Sequence, residues 1–344
     1  MNFFYYLIIF LGVLAISVIF TMLVKWFALR TGILDRPDKE RKTHEKNTPL
    51  LGGVAVFLSF FFVLYFARAE LLAGNLEARH WVGFFIGACF LMIGGFLDDK
   101  YNLKPSRQSI FPILAIASVI LGGVSIEKIT NPFGGFVYLE ILSPIIIVVW
   151  LLGMMYTTKL LDGLDGLVSG VSAIGGIVIF LFTMTTKYYQ PDVGLASLIF
   201  AAACLGFLIF NWHPAKIFLG EGGSLLLGYI LGVLAIISGG KIAIALLVMG
   251  IPILDVAWTI IRRLKEGKNP FKFADRKHLH FRLLETGLGI KKTVLLYYFF
   301  ALIFGLSAVF LQSKGKVFAL GILVLIMFGA IAYIGRFNRN RIIN

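Results

Sequence analysis

Two carboxylates three residues apart are the first residues in this chain whose types and spacing could do chemistry. Asp162 and Asp165 lie in the segment Leu160–Gly170, LLDGLDGLVSG, and each is followed by a glycine. Apolar stretches flank the segment, and carboxylates at the end of a membrane segment are costly and usually functional. On a helix the two side chains would share a face, whereas Asp-Gly pairs are also common in turns. The segment alone leaves two interpretations open, a reactive pair of acids and a polar turn between helices.

Three further acids occur in similar surroundings. Asp98 and Asp99 are adjacent in GGFLDDKYNL, where their mutual repulsion would be relieved by a divalent cation or by bound basic groups. Glu221 lies in the glycine-rich segment FLGEGGSLLLG, whose backbone N–H groups near a predicted helix start favour anions. Glu221 can ligate a metal or bind a sugar hydroxyl. Solvent-exposed acids at helix ends are the alternative interpretation.

Basic side chains suited to phosphate cluster in two polar loops. The candidates are Arg41, Lys42, His44, His278, His280 and Arg282. Arginine, lysine and histidine pair with phosphate oxygens through charge-assisted hydrogen bonds. Histidines at positions i and i+2 would face one way on an extended segment, but the surrounding cations argue against a metal site there. The alternative is a pair of solvated basic loops lying against anionic lipid.

The elements that must position these residues are membrane helices. The chain has 344 residues, of which 59% are hydrophobic and 15% charged, and this excludes a soluble domain with a single core. We predict an all-α, polytopic helix bundle forming one domain over residues 1–344. The first span lacks a cleavage signal, and we expect it to stay as an anchor. About eleven spans are predicted, near 3–24, 50–66, 81–97, 110–124, 142–158, 167–186, 195–210, 217–237, 242–261, 293–312 and 317–335.

The distribution of Lys and Arg predicts the orientation. Alternate loops hold 25 of the 32 basic residues, which places those loops in the cytoplasm, the N-terminus outside and the C-terminus inside. All the candidate acids and histidines named above fall on this same side, so we expect them to form one site. Carboxylates from three loops, with basic groups from others, suit a metal-bridged diphosphate, and apolar walls suit a lipid co-substrate. Asp255, inside the ninth span, is interpreted as a buried hydrogen-bonding residue.

At this point the motifs are familiar as a set. The segments DRP..ERKTH...TPLLGG, GGFLDD, LLDGLDGL, FNWHPAKIFLGEGGSLLLG and ADRKHLHFRL occur in this order over nearly the whole chain. The chain resembles the polyprenyl-phosphate N-acetylhexosamine-1-phosphate transferases, a glycosyltransferase family 4 type. The histidine segment is more similar to the GlcNAc-1-phosphate branch than to the phospho-MurNAc-pentapeptide branch.

The resemblance implies a Mg²⁺-dependent reaction, with Mn²⁺ as the other candidate ion. A polyprenyl phosphate would attack the β-phosphorus of a UDP-N-acetylhexosamine, giving a polyprenyl-diphospho-sugar and UMP. By motif position, the catalytic residues would be Asp98, Asp99, Asp162 and Asp165, and the metal ligands Asp99, Asp162 and Glu221. The substrate-binding residues would be Arg41, Lys42, His44, Asn211, His278, His280 and Arg282.

This chain departs from the family's usual pattern at residues of the implied site. Lys159 and Tyr156 stand where the family usually has Asn, Glu221 where it has Asp, and Phe281 where it often has His. Were residues 159–165 helical, Lys159 would lie on the face of Asp162 and stabilise its ionised form. We hypothesise that Lys159 and Glu221 compensate one another. The rival hypothesis is a degenerate site.

The expected partners are a polyprenyl phosphate, a UDP-N-acetylhexosamine and the bilayer, with no nucleic acid because no soluble domain is present to bind it. A homodimer is the expected assembly if the chain is not monomeric. The expected location is the inner (plasma) membrane, with the site facing the cytoplasm and serving a lipid-linked envelope glycan. The alternative function is that of a weakened paralogue that binds lipid phosphate or a protein partner.

Overall fold

A helix bundle accounts for nearly all of the structure, a computed structural model that describes residues 3–35, 47–239, 242–267 and 277–343. Each of the eleven predicted spans coincides with an apolar helix or helix pair, and three short helices lie between them. The helices are α1 (Phe3–Thr31), α2 (Gly52–Phe66), α3 (Arg68–Leu72), α4 (Ala78–Tyr101), α5 (Pro105–Gln108), α6 (Ile110–Leu121), α7 (Ser143–Leu161), α8 (Leu167–Thr183), α9 (Pro191–Asn211), α10 (Gly220–Ile237), α11 (Ile242–Val248), α12 (Gly250–Lys265), α13 (Leu279–Glu285), α14 (Ile290–Phe310) and α15 (Ser313–Ile343).

The predicted fold class, an all-α polytopic membrane bundle, is confirmed. Within the described ranges, seven helices are long and apolar enough to cross a membrane, and α11 with α12 would make an eighth. The apolar helices α2 and α8 and the pair α5–α6 are shorter than these seven helices. The number of crossings and their orientation stay predictions.

The ninth predicted span is wrong as a single straight helix. It is divided into α11 and α12, which are bent by 81° relative to one another. Pro252 lies in the first turn of α12 and has no N–H to donate to the carbonyl of Val248, so one continuous helix would lose a hydrogen bond there and clash with the proline ring. The bend turns α12, whose last turn carries Arg262, Arg263 and Lys265, away from the direction of α11.

Burial separates central from peripheral helices. The most apolar windows of α9 and α10 are 78% and 83% buried, whereas those of α1 and α15 are each only 22% buried. Helices that are apolar on all sides but mostly exposed are suited to contact lipid. The bundle therefore has α9 and α10 at its centre and α1 and α15 at its margin.

Two small antiparallel strand pairs accompany the helices. Strands β1 (Leu34–Asp35) and β2 (Thr48–Pro49) pair directly before α2, with Leu34 opposite Pro49 and Asp35 opposite Thr48. Strands β3 (Lys128–Thr130) and β4 (Phe136–Tyr138) form an exposed hairpin between α6 and α7. Neither pair is predicted by the sequence, because strands of two or three residues leave no measurable alternation of polar and apolar side chains.

Glycines bring three helices into backbone contact. A Cβ at Gly53 of α2 would lie 2.1 Å from Cα of Gly223 in α10, and a Cβ at Gly95 of α4 would lie 2.1 Å from Cα of Gly222. Real side-chain carbons do not approach so closely, so only glycine allows these distances. The N-terminus of α10 is thus held between α2 and the C-terminal end of α4.

Candidate functional site

A polar cavity of about 770 Å³ lies where these helix ends meet. It draws on all five interhelical loops that the Lys/Arg pattern groups on one side. Its lining residues are Leu34, Asp35, Leu50, Asp98, Asp99, Asn102, Leu103, Gln108, Lys159, Leu160, Asp162, Gly163, Leu164, Asp165, Asn211, Phe218, Gly220, Glu221, Ser224 and Phe281. The structure therefore brings together the four aspartates predicted to be catalytic and the predicted metal ligands.

Backbone hydrogen bonds join the first loop to the fourth beside this cavity. The Gly52 N–H donates to the Phe218 carbonyl at 2.8 Å, and the Gly53 N–H donates to the Leu219 carbonyl at 2.8 Å. These N–H groups belong to the first turn of α2, where no partner exists within the helix itself. The segments TPLLGG and KIFLGEGG thus satisfy each other's backbone hydrogen-bonding groups, and they hold Asp35 and Glu221 beside the same cavity.

The adjacent aspartates of α4 have different partners. Asp98 is buried, and both of its oxygens accept from Nε2 of Gln108 at 2.8 Å, while Oδ1 also accepts from the Leu103 N–H at 2.8 Å. Asp99 faces the cavity, and its Oδ1 accepts from the Glu221 N–H at 3.1 Å. Glu221 is in the first turn of α10, where unpaired N–H groups and the helix dipole favour a negative charge. Asp98 therefore organises the loop after α4, and Asp99 caps α10.

The opening motif is a turn and not a helix. Helix α7 ends at Leu161, helix α8 begins at Leu167, and Gly166 between them has a positive φ of 79°. Of the two interpretations that the segment left open, the turn between helices is the one observed, so Asp162 and Asp165 do not share a helical face. Both side chains nevertheless line the cavity.

Asp162 has the more open carboxylate of the two. Its side chain is exposed to the cavity, and no hydrogen bond reaches it from the described ranges. Protein atoms enclose the cavity around it, and this desolvation, followed by the nearby carboxylates of Glu221, Asp165 and Asp99, raises the pKa of Asp162. Water in the cavity moderates the effect of enclosure. A carboxylate in these surroundings favours a bound cation.

Asp165 is held firmly in place. Its Oδ2 lies 2.7 Å from Nδ1 of His213 and accepts from the Ala215 N–H at 3.1 Å. Asn211 supports the same turn, since its Oδ1 accepts from the Gly166 N–H at 3.1 Å and from the Ser169 hydroxyl at 3.0 Å. Sequence reasoning missed His213. Its position beside Pro214 in FNWHPAK was visible, but only the fold shows which acid it meets.

Asn211 is buried, and its Nδ2 donates to the Ile217 carbonyl at 3.0 Å. Both ends of its amide are therefore engaged within the protein. The predicted contact of Asn211 with a nucleotide stays a prediction, and its visible role is to fix the DGLDG turn against the end of α9.

Lys159 and Glu221 form an ion pair. Nζ of Lys159 lies 2.7 Å from Oε2 of Glu221, and it donates to Oε1 of Gln108 at 3.4 Å. The condition under which Lys159 would share a helical face with Asp162 is not met, because α7 ends between them. The ammonium reaches across the cavity to α10 instead. Two of the four residues at which this chain departs from the implied pattern are thus in direct contact.

The histidine segment packs behind the cavity. Nδ1 of His278 lies 2.9 Å from Oδ2 of Asp255, whose Oδ1 accepts from the Leu279 N–H at 2.9 Å. Asp255 is buried, which confirms its interpretation as a hydrogen-bonding residue. The rings of His278 and His280 are nearly parallel, with centroids 5.8 Å apart. The contacts of Asp255 with His278 and Leu279 tie α12 to the start of α13.

His280 is fully buried and lies against the DGLDG turn. A Cβ at Gly163 would be 2.6 Å from its Nε2, and neither ring nitrogen has a hydrogen-bond partner within the part of the chain described. Burial lowers the pKa of His280 to about 4, so the ring is neutral at pH 7. In the described structure Phe281, rather than His278, His280 or Arg282, is the residue of this segment that lines the cavity. The predicted phosphate contacts of these three residues stay predictions.

Arg41, Lys42 and His44 lie outside the described residues. Their predicted contacts with phosphate therefore have no structural counterpart here. On this side the cavity wall is formed by Leu34 and Asp35 of β1 and by Leu50, which follows β2, and these residues bracket that segment.

The donor set suits a hard divalent cation. Asp99, Asp162 and Glu221 offer carboxylate oxygens, the ligands that Mg²⁺ prefers, and Mg²⁺ usually takes one or two protein carboxylates with waters and substrate phosphates. Across the described ranges, no three acid, histidine or cysteine side chains are arranged as a ready metal cage. Asp99 is engaged at α10 and Glu221 with Lys159, which leaves Asp162 as the open ligand.

Comparison with known proteins identifies the family. Residues 81–239 match the family described as glycosyl transferase family 4. The chain is 32% identical over 319 residues to a probable undecaprenyl-phosphate N-acetylglucosaminyl 1-phosphate transferase of Bacillus subtilis, covering 90% of this chain and 86% of that protein. It is 33% identical over 293 residues to an undecaprenyl-phosphate alpha-N-acetylglucosaminyl 1-phosphate transferase of Thermotoga maritima, covering 85% and 86%.

A relative from the other branch matches at a similar level. A phospho-N-acetylmuramoyl-pentapeptide-transferase of Halalkalibacterium halodurans is 33% identical over 293 residues, covering 79% of this chain and 86% of that protein. These similarities extend over most of the chain, and so does the helix bundle whose loops form the cavity. This protein therefore belongs to glycosyl transferase family 4.

Proposed function

We propose that this protein transfers an N-acetylhexosamine 1-phosphate, in the first instance GlcNAc 1-phosphate, from its UDP-sugar to a polyprenyl phosphate such as undecaprenyl phosphate. An oxygen of the lipid phosphate forms a bond to the β-phosphorus of the UDP-sugar, and the bond from that phosphorus to UMP breaks. The product is a polyprenyl-diphospho-sugar that starts a lipid-linked envelope glycan. The names of the relatives support the reaction class.

The convergence of carboxylates on one cavity is the observation that carries this proposal. Six acids line it, namely Asp35, Asp98, Asp99, Asp162, Asp165 and Glu221, and Lys159 is the sole Lys or Arg in the described lining. Such a surface repels a diphosphate unless cations lie between them. The site is therefore suited to hold phosphates through a divalent cation, for which we propose Mg²⁺ or Mn²⁺.

Asp99 and Asp162 would hold that cation, and Glu221 would join them once released from Lys159. Bound there, the cation would neutralise charge that develops on the phosphate oxygens. The chain's own residues supply the frame. Asp99 stays oriented by the first turn of α10, Asp165 by His213 and Ala215, and Asp98 fixes the loop after α4 through Gln108.

We further propose that the cavity faces the cytoplasm of the cell's inner membrane. The five loops that line it hold 22 of the 32 Lys and Arg residues. Reporters of each compartment fused to residues 1 and 344 test this orientation. The N-terminal fusion should report the outside and the C-terminal fusion the cytoplasm, and finding both on one side would contradict it.

The enzymatic proposal is tested with purified protein in lipid. Radiolabelled UDP-GlcNAc, undecaprenyl phosphate and Mg²⁺ should give labelled lipid and an equal amount of UMP, with EDTA and heat-treated protein as controls. Replacing UDP-GlcNAc with other UDP-N-acetylhexosamines determines the sugar. Absence of both products with Mg²⁺ and with Mn²⁺ would contradict a transferase function.

A second candidate function rests on the Lys159–Glu221 pair. An ammonium bound to a predicted metal ligand is what a weakened paralogue would show, and such a protein would bind lipid phosphate or a partner without turnover. Binding of undecaprenyl phosphate in the same preparation, without labelled product, would favour this second function.

A further inference from the structure

Lys159 occupies a position where its positive charge is used twice. It lies in the last turn of α7, where a cation interacts favourably with the helix dipole. Its Nζ is 2.7 Å from Glu221 of α10 and donates at 3.4 Å to Gln108 of α5. Gln108 in turn donates to both oxygens of Asp98 in α4. One ammonium thereby connects the ends of four helices across the cavity.

The pair is neither fully buried nor freely solvated. The side chain of Lys159 is 21% exposed and that of Glu221 is 39% exposed. Although the contacting oxygen Oε2 is itself buried, water and ions reach the rest of both side chains, so the contact can open without leaving an isolated charge fully desolvated. A fully buried pair would resist such opening, because each partner would be left desolvated and uncompensated.

We propose that Lys159 is a built-in counter-ion that a divalent cation must displace from Glu221, so that cation uptake in this protein is an exchange. This inference rests on the proposed function for the role of the cation. Glu221 lines the cavity, and Lys159 engages its buried oxygen Oε2. A divalent cation bound there would meet an ammonium within a few ångströms, and like charges at such a distance oppose one another.

Exchange has two measurable consequences. The wild-type protein should bind divalent cations more weakly than a variant without the ammonium, and without cations it should be more stable than that variant. A unit charge within about 4–6 Å changes the proton affinity of a carboxylate by about one to three pKa units. For a partly exposed pair we expect the lower end of that range, about a tenfold change in cation affinity.

Direct Mn²⁺ titration tests the first consequence without turnover. Electron paramagnetic resonance of free Mn²⁺ gives the affinity of protein in lipid nanodiscs. Lys159→Met should bind Mn²⁺ about tenfold more tightly than wild type, and Lys159→Arg, which keeps the charge, should bind as wild type does. Lys216→Met removes an exposed lysine outside the cavity and should have no effect. Equal affinity in wild type and Lys159→Met, or no Mn²⁺ binding by any form, would overturn the proposal.

The unmodified protein provides a second measurement, in case Lys159→Met does not fold. Reaction of Lys159 with an amine-specific acylating reagent, quantified by mass spectrometry, should increase when Mn²⁺ is added, with Lys216 as the internal reference. Unchanged labelling of Lys159 at saturating Mn²⁺ would show that no displacement occurs. If cation exchange is seen but UDP-sugar is not turned over, the proposed function fails and this inference stands. If UDP-sugar is turned over but no cation exchange is seen, this inference fails and the proposed function stands.

Discussion

The two sides of the cavity hold their carboxylates by different means. On one side, called here the lysine side, Asp98, Asp99 and Glu221 are linked through Gln108, Lys159 and the start of α10. On the other, the histidine side, Asp165 is held by the His213 ring and the Ala215 N–H. The long, flexible side chain of Lys159 can move its ammonium away from Glu221. The His213 ring and the Ala215 N–H cannot move far from Asp165. The difference indicates that charge is exchanged on the lysine side and that geometry is maintained on the histidine side.

The largest effect is expected on the lysine side from loss of a charge. Asp99→Asn keeps the shape but removes the negative charge at the start of α10, and Asp98→Asn does the same beside Gln108. Turnover should fall by about 10²–10³-fold or more in each, as for other charged groups that stabilise a transition state. The assay is transfer of labelled sugar to lipid, normalised to folded protein in the membrane. Near-normal turnover in both variants would refute the catalytic assignment.

A smaller loss is expected when the lysine side is moved without changing its charge. Gly95→Ala places a Cβ 2.1 Å from Cα of Gly222, so α4 and α10 must separate by more than about 1 Å. Misplacement of about 1 Å costs about 100-fold in rate. The matched control is Gly153→Ala in α7, where a Cβ meets no atom within 4 Å. Equal turnover in the two variants would mean that the glycine contact does not set the site.

On the histidine side we expect about a tenfold loss in kcat/KM for His213→Ala. In this variant Asp165 keeps its hydrogen bond from the Ala215 N–H but loses the one with the His213 ring. A hydrogen bond to a charged group contributes about 1.5–3 kcal/mol. His213→Gln retains a donor and should recover most of that loss. If the glutamine variant is as impaired as the alanine variant, His213 does more than orient Asp165.

The last effect concerns stability and pH, and it leaves turnover at pH 7 out of account. The pKa of His280 is lowered to about 4 by burial, so the native ring stays neutral while the unfolded one gains a proton below pH 6.5. The stability that this shift represents, about 3 kcal/mol at most, is present above pH 6.5 and is lost as the pH falls towards 4. The melting temperature should therefore fall between pH 7 and pH 5, and His280→Phe should reduce that fall. An identical pH profile in the variant would contradict the assignment.

Sequence reasoning predicted the arrangement of the helices and loops more fully than the side-chain contacts in the cavity. The Lys and Arg pattern grouped the loops that meet at the cavity, because the distribution of charge can be read directly along the chain. The partners of Lys159 and Asp165 were not predicted, since Glu221 and His213 are 62 and 48 residues away along the chain. The bend before Pro252 was not predicted, because the apolar run was given more weight than the proline, whereas the turn at Asp162 was one of two interpretations that the sequence left open.

The glycine contacts also separate the architecture of this protein from its chemistry. Where Gly53 meets Gly223 and Gly95 meets Gly222, backbone touches backbone, so no side chain can repack to absorb a change. Residues that line the cavity, such as Asp99 of α4 and Glu221 of α10, project from helices that are already fixed by those contacts. New combinations of charge can therefore arise at the cavity one substitution at a time without redesign of the scaffold, while a single methyl group at a glycine contact alters every distance in the site together.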